Sequence, residues 1–298
     1  MNLLPTRRLR MPALLIVGCG DVGLRVLKLL HDRSRVLTLT SSPTRCEVLR
    51  RAGARPLLGD LDDAATLSRL GGLADTVLHL APPPASGNHD SRTRNLLRAL
   101  ARGGRVRRIV YASTSGVYGD CAGARFDETR TPRPSTARAH RRVDAEAQLR
   151  AFGRRAGVVV SLLRIPGIYA SDRDGGHPRE RLQRGTPLLR AEDDVYTSHI
   201  HADDLARACV AALHHALPQR AVHVCDDSEL RMGEYFDLAA DLCGLPRAPR
   251  ISRTEAAAQL SPLQLSFMSE SRRLDNRRLK RELKLRLRYP TVAEGLLA

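Results

Sequence analysis

Short apolar runs alternate with amphipathic stretches up to about residue 170 of the chain. An apolar run of this kind, bounded by Gly, Pro or polar residues, is typical of a strand that is buried on both faces of a sheet. The runs predict strands over residues 14–17, 35–40, 55–58, 75–80, 107–112 and 158–163. Apolar residues at helical spacing predict helices over residues 43–52, 91–102 and 137–156. This alternation predicts an α/β fold with a doubly wound parallel sheet.

The first predicted strand ends in the sequence GCGDVG, residues 18–23, and a helical pattern follows. Between a strand and a helix, this spacing predicts a dinucleotide site: Gly18 allows a tight turn, Gly20 lets a pyrophosphate approach the backbone, and Gly23 lets the helix pack against the strand. The N–H groups of the first helical turn, which includes Val22, are then expected to face the phosphates. We expect Asp21 to point outward, because its carboxylate would repel a phosphate. The alternative is a tightly packed turn without a ligand.

The end of the second predicted strand indicates which dinucleotide is preferred. An acidic residue at this place accepts a hydrogen bond from the ribose of NAD, whereas this chain has Thr40, Ser41 and Ser42, followed by Arg45. Small hydroxyls can bond a 2′-phosphate, and an arginine can pair with it. The sequence therefore favours NADP over NAD, the alternative being that Arg45 is one exposed arginine among many.

The alternation weakens after residue 170, where the polar residues 171–177 are of the kind that covers a substrate. Later patterns predict helices over residues 203–213 and 232–243 and a strand over residues 221–224. We divide the chain into an N-terminal extension of residues 1–10, a Rossmann-type nucleotide-binding core of residues 11–170, and a smaller substrate-binding lobe of residues 171–298 with segments that return to the core. Met11 is a candidate for the native start.

Composition narrows the classes of function. The net charge is +17, but the arginines are spread along the chain, aromatic residues make up 3% and tryptophan is absent. Stacking platforms for nucleic acid are therefore not expected. The 6 cysteines form no C-x-x-C pair, which suits a reducing compartment. With no long apolar stretch, we expect a cytoplasmic protein that binds neither membranes nor specific nucleic acid. We expect the basic residues 272–288, with Leu279 and Leu283 on one helical face, to be a solvated surface.

The segment HIHADD, residues 199–204, resembles the H-x-H-x-D-H motif of metallohydrolases, but its third histidine is missing. Asp203 and Asp204 precede a predicted amphipathic helix, where we expect them to act as the N-cap and as first-turn charges. The sequence therefore predicts no metal site.

Motifs along nearly the whole chain resemble those of one superfamily. In order, they are GCGDVG, GD at residues 59–60, HLA at 79–81, STSGVYGD from 113, LLRIPGIYA from 162, HIHADDLA from 199, and RLDNRRLKREL followed by YPTVAEGL near the C-terminus. The set is similar to the extended short-chain dehydrogenase/reductase superfamily, in its NAD(P)-dependent epimerase/dehydratase branch. The resemblance implies a small-molecule substrate bound by the second half of the chain, and a homodimer formed by packed helices.

The same resemblance implies individual roles. Ser113 and Thr114 end a predicted central strand, which places their hydroxyls beside the cofactor, and Thr114 holds the place of the catalytic Ser or Thr. The other residues implied to contact the cofactor are Asp60 and Leu61 at the adenine, Ala81 and Pro82 at the nicotinamide-side ribose, and Pro166 and Ile168, within residues 164–168, at the nicotinamide.

The chain departs from the superfamily at its catalytic Tyr-x-x-x-Lys. Aligning the helix at residues 137–156 on Glu146 places Arg142 at the lysine position and Arg138 at the tyrosine position. Arginine does not release a proton near neutrality, so Arg138 cannot replace the tyrosine. Arg142 can reach the ribose and supply positive charge. Tyr118 and Tyr169, near the nicotinamide by their order in the chain, are the candidate substitute acids.

Two functions from different classes remain. The first is an atypical NAD(P)-dependent oxidoreductase of the epimerase/dehydratase type, which acts on a small carbonyl or hydroxyl compound or on a nucleotide-sugar-like substrate. The second is a non-catalytic NADP-binding sensor or scaffold that has lost the Tyr/Lys relay. Loss of the tyrosine favours the second function, whereas the retained Thr114 and a complete substrate half favour the first.

Overall fold

The structure, a computed structural model, describes residues 13–30 and 35–298. The extension interpreted from residues 1–10, and Met11, lie outside the described residues. The strands are β1 (Ala13–Val17), β2 (Arg35–Thr40), β3 (Arg55–Leu58), β4 (Thr76–His79), β5 (Arg108–Thr114), β6 (Arg125–Phe126), β7 (Val159–Ile165), β8 (Gly167–Tyr169), β9 (Leu188–Leu189), β10 (Tyr196–Thr197), β11 (His199–His201), β12 (Arg220–His223), β13 (Leu230–Arg231), β14 (Arg250–Ile251) and β15 (Arg273–Leu274). The helices are α1 (Asp21–Leu29), α2 (Arg45–Arg51), α3 (Ser91–Ala101), α4 (Ala137–Ala156), α5 (Arg179–Gln183), α6 (Ala202–His215), α7 (Met232–Cys243), α8 (Arg253–Gln259), α9 (Pro262–Met268), α10 (Arg277–Arg281) and α11 (Val292–Leu296).

Within the described residues, 7 strands form one parallel sheet in the order β12-β7-β5-β4-β1-β2-β3. The predicted doubly wound sheet is thereby confirmed. The strand order changes direction at β1, which pairs with β2 on one side and with β4 on the other. In open α/β sheets, ligands bind at the carboxyl ends of the strands beside such a switch point. We therefore expect a ligand-binding site at the turns after β1 and β4.

Each face of the sheet is covered by helices that bury apolar residues against it. On one face, Val26 of α1 and Cys209 of α6 belong to the same buried cluster as Leu14 and Ile16 of β1. The other face carries α3 and α4, whose buried residues include Leu100 and Leu149. Because successive residues of a strand point to opposite faces, a strand buried on both faces is apolar throughout, as β1 is.

The second half of the chain builds a smaller core of its own and also returns to the sheet. Helices α7, α8, α9 and α11 enclose apolar residues around Phe236 and Met268. In contrast, β12 pairs with β7 at the edge of the main sheet, and α6 packs beneath it. The sequence after residue 170 therefore contributes both to a separate lobe and to the central layer.

The basic residues 272–288 do not form the solvated helical face that we expected. Only the short β15 and α10 are regular within this stretch, and Leu279, Leu283, Leu285 and Leu287 are buried in the core beside the sheet. Several of its cations are paired with acidic side chains; Arg278, for example, contacts Glu128 at 3.2 Å. We expected one continuous helix from the leucine spacing. Instead, Leu283, Leu285 and Leu287 lie after the end of α10, outside any helix.

Arg278 and Glu128 also act on the outer edge of β12. The Arg278 guanidinium donates to the backbone carbonyl of Ala221 at 3.1 Å, and the backbone N–H of His223 donates to the Glu128 carboxylate at 2.8 Å. Side chains thus bond two backbone groups on the outer edge of β12.

None of the helices in the described residues is both long enough and apolar enough to cross a bilayer.

Candidate active site

The turn after β1 accepts glycine alone at its first position. Gly18 has φ +82°, and a Cβ added to it would lie 2.5 Å from the Cα and N atoms of Ala81. Ala81 is held in place by its backbone N–H, which donates to the carbonyl of Val17 at 3.0 Å. Gly18 therefore brings the end of β1 against the end of β4, as a tight turn requires.

Gly20 faces open space. It is the N-cap of α1, and a Cβ added to it would meet no described atom within 4 Å. The first turn of a helix carries N–H groups without intrahelical acceptors and the positive end of the helix dipole. A Cβ on Gly23 would lie 2.8 Å from Sγ of Cys19 and 3.6 Å from Leu80, so its close packing is with the turn and the residue after β4, not with β1.

The Asp21 side chain is turned toward two arginines. It contacts Arg25 at 3.2 Å and Arg173 at 2.9 Å. Arg25 also binds Asp172 and Asp203, which joins α1 to the loop after β8 and to α6. Asp21 does not line the cleft beside the turn, and only its backbone remains as a contact for a phosphate.

A cleft of about 380 Å³ lies beside this turn, between the ends of β1, β2, β3 and β4. We call it the glycine-turn cleft. Arg45 donates through Nη2 to the backbone carbonyl of Cys19 at 2.8 Å, which brings its guanidinium next to the turn. Among the residues that line this cleft are Gly18, Gly20, Ser41, Arg45, Asp60, Leu61, Ala81, Pro82 and Arg92.

Arg92 is a lining residue that the sequence did not indicate. Its Nε and Nη2 bind the two carboxylate oxygens of Asp62 at 2.8 and 2.6 Å, and its Nη1 donates to the carbonyl of Pro82 at 3.2 Å. Its place in the first turn of α3 was the signal available in the sequence. The stretch before α3 is irregular, however, so the sequence does not predict where this turn lies relative to the cleft.

A second pocket, of about 220 Å³, continues from the cleft along the carboxyl ends of β4, β5 and β7. We call it the Thr114 pocket. Leu80 lines both spaces. The predicted residues Val22, Ser113, Thr114, Arg142, Pro166 and Ile168 all line it. Leu205 and Cys209 of α6 complete its wall and were not predicted, because their apolar character indicated only a core face.

Arg142 is fixed at this pocket by strand β5. Its Nη1 donates to the carbonyl of Ala112 at 2.7 Å and to the hydroxyl of Tyr111 at 2.9 Å. The guanidinium also lies 5.5 Å from the centre of the Tyr111 ring. The positive charge of Arg142 is thus held at the pocket that Thr114 also lines. Arg138 lies one helical turn before Arg142 on the same face of α4.

A third space, of about 270 Å³, lies between the sheet and the lobe. We call it the Arg181 cavity. Thr114 and Pro166 line this cavity and the Thr114 pocket alike. Arg138 lines it as well, with its guanidinium 4.8 Å from the centre of the Phe267 ring. The three spaces therefore meet in series, with Thr114 at the junction of the last two.

The model of the NAD dependent epimerase/dehydratase family matches residues 14–225. The chain belongs to this family. A solved conserved protein of unknown function from Silicibacter pomeroyi DSS is 30% identical, with a TM-score of 0.80 over 96% of this chain and 97% of that chain. UDP-glucuronic acid 4-epimerase from Bacillus cereus, solved with UDP-glucuronic acid and NAD, shares the fold at 17% identity, with a TM-score of 0.76 over 96% of this chain and 97% of that chain.

Among curated proteins, dTDP-glucose 4,6-dehydratase from Mycolicibacterium smegmatis is 30% identical over 177 residues, which are 51% of this chain and 52% of that protein. The chain spans about half or less of the length of the curated relatives it matches. The resemblance to the NAD(P)-dependent epimerase/dehydratase branch is confirmed by the family match, and the family is NAD-dependent.

In this family member, Tyr118 does not line any of the three spaces just described. Its hydroxyl donates to Nε2 of His223 at 2.6 Å, because Nδ1 of that histidine faces the carbonyl of Asp275 and must carry the proton. Arg164 donates to the same hydroxyl at 2.6 Å. Burial raises the pKa of Tyr118 to about 12. Order along the chain placed Tyr118 near the nicotinamide, but its side chain points into the core.

Tyr169 is buried in the lobe rather than at the Thr114 pocket. Its hydroxyl lies 3.4 Å from the Asp226 carboxylate and 3.3 Å from the carbonyl of Thr291. Burial and the nearby Asp226 raise the pKa of Tyr169 well above its usual range. Neither candidate substitute acid thus has its hydroxyl in the spaces that Thr114 joins.

The HIHADD segment forms a helix start. His201, not Asp203, is the N-cap of α6, and its Nδ1 accepts a hydrogen bond from the backbone N–H of Asp203 at 3.2 Å. Asp204 accepts from the backbone N–H groups of Arg288 and Tyr289 at 2.8 Å. Both aspartates lie in the first turn, as expected. In the part of the chain that the structure describes, no group of His, Cys, Asp and Glu residues is arranged to hold a metal ion.

Proposed function

We propose that this family member is an NAD(P)-dependent oxidoreductase that acts on a hydroxyl or carbonyl group seated beside Thr114. The observation that carries the proposal is the series of three spaces, in which Leu80 joins the glycine-turn cleft to the Thr114 pocket and Thr114 joins that pocket to the Arg181 cavity. A dinucleotide needs the first two spaces, and a substrate needs access to the third. Relatives named for UDP-glucuronic acid and dTDP-glucose support a sugar-like substrate.

The residues of the cleft fit a dinucleotide. The open space before Gly20 is where a side chain would otherwise stand, and the amides of the first turn of α1 provide donors for a diphosphate. Asp60, Leu61, Ala81 and Pro82 all line the cleft. We assign Asp60 and Leu61 to the adenine, and Ala81 and Pro82, which follow Leu80, to the part nearer to the Thr114 pocket. When bound, the nicotinamide supplies the hydride acceptor or donor.

We further propose that NADP is preferred to NAD. Ser41 and Arg45 line the cleft at the end of β2, where a carboxylate would bind the ribose of NAD. The Arg45 guanidinium is held by a backbone carbonyl instead of by a carboxylate. Its charge is therefore available for a 2′-phosphate.

Replacing Arg45 with glutamine is expected to raise the Kd for NADPH about tenfold to hundredfold and to change the Kd for NADH by less than about threefold. The reason is that a hydrogen bond to a charged group contributes about 1.5–3 kcal/mol. Isothermal titration calorimetry measures both constants. Arg51→Gln on the same helix, whose side chain is 80% exposed, is the control that should leave both unchanged. Equal losses for the two cofactors would contradict the preference.

Thr114 is the residue we assign to the reacting oxygen. Its Oγ1 accepts a hydrogen bond from the backbone N–H of Gly116 at 3.2 Å, so its own proton is free to be donated to a substrate oxygen. Arg142 holds positive charge beside it. Arg138 cannot exchange a proton near neutrality, and both candidate tyrosines are bonded inside the core. Thr114 therefore donates a hydrogen bond to the substrate oxygen, and we assign the transfer of a proton to or from the substrate to a water molecule next to Thr114.

Turnover of NADPH with a panel of sugars, nucleotide sugars, aldehydes and ketones tests the function. For a substrate that turns over, Thr114→Ala is expected to lower kcat about 10²-fold, the usual cost of losing one donor to a reacting oxygen, while Thr114→Ser retains most of it. Absorbance of NADPH measures the rate, and calorimetry should show cofactor affinity within about threefold of wild type.

Thr114 also caps the short helix at Ser115–Tyr118, so Thr291→Ala, which removes the cap of α11, is the matched control for lost stability. Equal rate losses in both alanine variants would refute the role of Thr114. NADPH binding without turnover of any compound in the panel would favour the non-catalytic alternative.

A further inference from the structure

Several residues that line the Arg181 cavity have buried polar atoms without a hydrogen-bond partner among the described residues. These atoms are Nε and Nη2 of Arg181, Oγ1 of Thr197 and Nδ1 of His199. A buried polar atom without a partner costs free energy, and such atoms are rare in native structures. Their concentration around one cavity indicates that a ligand completes this site.

Arg181 indicates the charge of that ligand. Its guanidinium carbon lies 4.6 Å from the centre of the Phe236 ring, a contact that supplies no oxygen acceptor. The two partnerless nitrogens, Nε and Nη2, are neighbours on one edge. This edge carries two parallel N–H groups that match the two oxygens of a carboxylate or a phosphate.

Other arginines of this chain use the same edge to bind an oxyanion. Arg164 holds Glu146 with Nε and Nη2 at 3.1 and 2.7 Å. Arg105 holds Asp75 in the same way, at 2.8 Å for both nitrogens. Arg181 differs because its edge has no such acceptor in the described residues.

The cavity carries uncompensated positive charge. Arg138, Arg181 and Arg272 line it, and Glu270 is its acidic lining residue. The Glu270 carboxylate is already bonded to Arg272 at 2.6 Å and to Ser135 at 2.6 Å. Burial lowers the pKa of His199 to about 4, so this side chain is neutral at pH 7. Arg138 and Arg181 therefore have no counter-charge in the cavity.

We propose that the substrate of this site is a compact oxyanion, bound through the Nε and Nη2 edge of Arg181, with its reacting carbon next to Thr114. The inference rests on the proposed function for the identity of the cavity as the substrate site. The volume of about 270 Å³ lies below the 300–1,000 Å³ usual for larger ligands, so it suits a small hydroxy or keto compound with a phosphate or carboxylate group better than a whole nucleotide sugar.

Inorganic phosphate tests the proposal in protein saturated with NADPH, which keeps the probe out of the glycine-turn cleft. The melting temperature is followed against phosphate concentration at constant ionic strength. We expect phosphate to raise the Tm of wild type, and Arg181→Gln to weaken its apparent affinity at least tenfold. Without phosphate, the Tm of Arg181→Gln should be about 2–4 °C higher than that of wild type, because two buried N–H donors without an acceptor have been removed.

The matched control is Arg184→Gln, since Arg184 follows α5 and its side chain is 67% exposed; it should bind phosphate as wild type does. Thr197→Val is a second variant of similar shape, which should weaken phosphate binding about threefold. Malonate in place of phosphate distinguishes a carboxylate seat from a phosphate seat. Equal phosphate binding by Arg181→Gln and Arg184→Gln would overturn the anion seat.

UDP-glucose provides the test of size. An Arg181-dependent affinity for UDP-glucose more than tenfold above that for phosphate would overturn the compact ligand. Cofactor affinity is measured in the same samples by NADPH fluorescence. A protein that binds phosphate through Arg181 but does not bind NADPH would disprove the proposed function and leave the anion seat standing, whereas NADPH binding without Arg181-dependent phosphate binding would do the reverse.

Discussion

Gly18→Ala is expected to lower the free energy of unfolding by about 2–4 kcal/mol and to weaken the binding of NAD(P) about 10²-fold or more. Alanine is strained at φ +82°, and its Cβ would lie 2.5 Å from the backbone of Ala81. Relief of this contact must push the ends of β1 and β4 apart, which widens the cleft that both turns form. Chemical denaturation measures the stability, and calorimetry measures the affinity.

Gly20→Ala separates binding from folding and serves as the control. Its φ is −84°, and its Cβ would meet no described atom within 4 Å. We therefore expect its stability to stay within about 1 kcal/mol of wild type. Its affinity for NAD(P) should still fall about tenfold to hundredfold, because the new methyl group occupies the approach of the diphosphate. Wild-type affinity in Gly20→Ala would contradict the placement of the diphosphate at this turn.

Glu146→Gln is expected to lower the free energy of unfolding by about 3–5 kcal/mol, because it leaves a buried guanidinium without its counter-charge. The side chains of Arg164 and Glu146 are 4% and 5% exposed. Glu146 also accepts from the hydroxyl of Ser113 at 2.6 Å, so the pair connects α4, β5 and β7. Urea denaturation of the two proteins at pH 7 measures the difference.

Asp241→Asn is the matched control for removing one carboxylate from an arginine. Its partner Arg247 binds it with two nitrogens, at 3.0 and 2.7 Å, but the two side chains are 61% and 51% exposed. Water already solvates such a pair, so the expected loss is below about 1 kcal/mol. A loss for Glu146→Gln no larger than that of the control would show that the buried pair does not hold α4 against the sheet.

The elements with strong local signals could be predicted from the sequence. The bounds of β2 and β3 agree with the prediction, because polar or turn residues limit both apolar runs. Helix α4 also has the predicted bounds: Thr136 caps its start, and Gly157, with φ +64°, ends it.

The direction of buried polar side chains could not be predicted. Tyr118 is the fourth residue after the end of β5, and this spacing predicts a position close to the nicotinamide. Its hydroxyl is instead held by His223 and Arg164, residues that lie far from it along the chain. A partner on another strand decides such an orientation, and a single sequence does not contain that pairing.

The walls of the candidate site show the same limit. Ser41, Arg45 and Asp60 follow predicted strands, so the parallel sheet brings them to one edge. Arg92 and Arg181 lie on helices, and their positions depend on how α3 and α5 pack against the rest of the chain. The sequence indicated residues at strand ends and two helical arginines, Arg45 and Arg142, that line the site, but it did not indicate Arg92 and Arg181.

The outer edge of β12 has a consequence for how the protein behaves at high concentration. The Ala221 carbonyl is bonded by the Arg278 guanidinium, and the His223 N–H by the Glu128 carboxylate. An incoming chain that tried to extend the sheet would have to break these charged bonds and strip two ions of their partners. This rim therefore resists strand addition, a common first step of aggregation in proteins with open sheets.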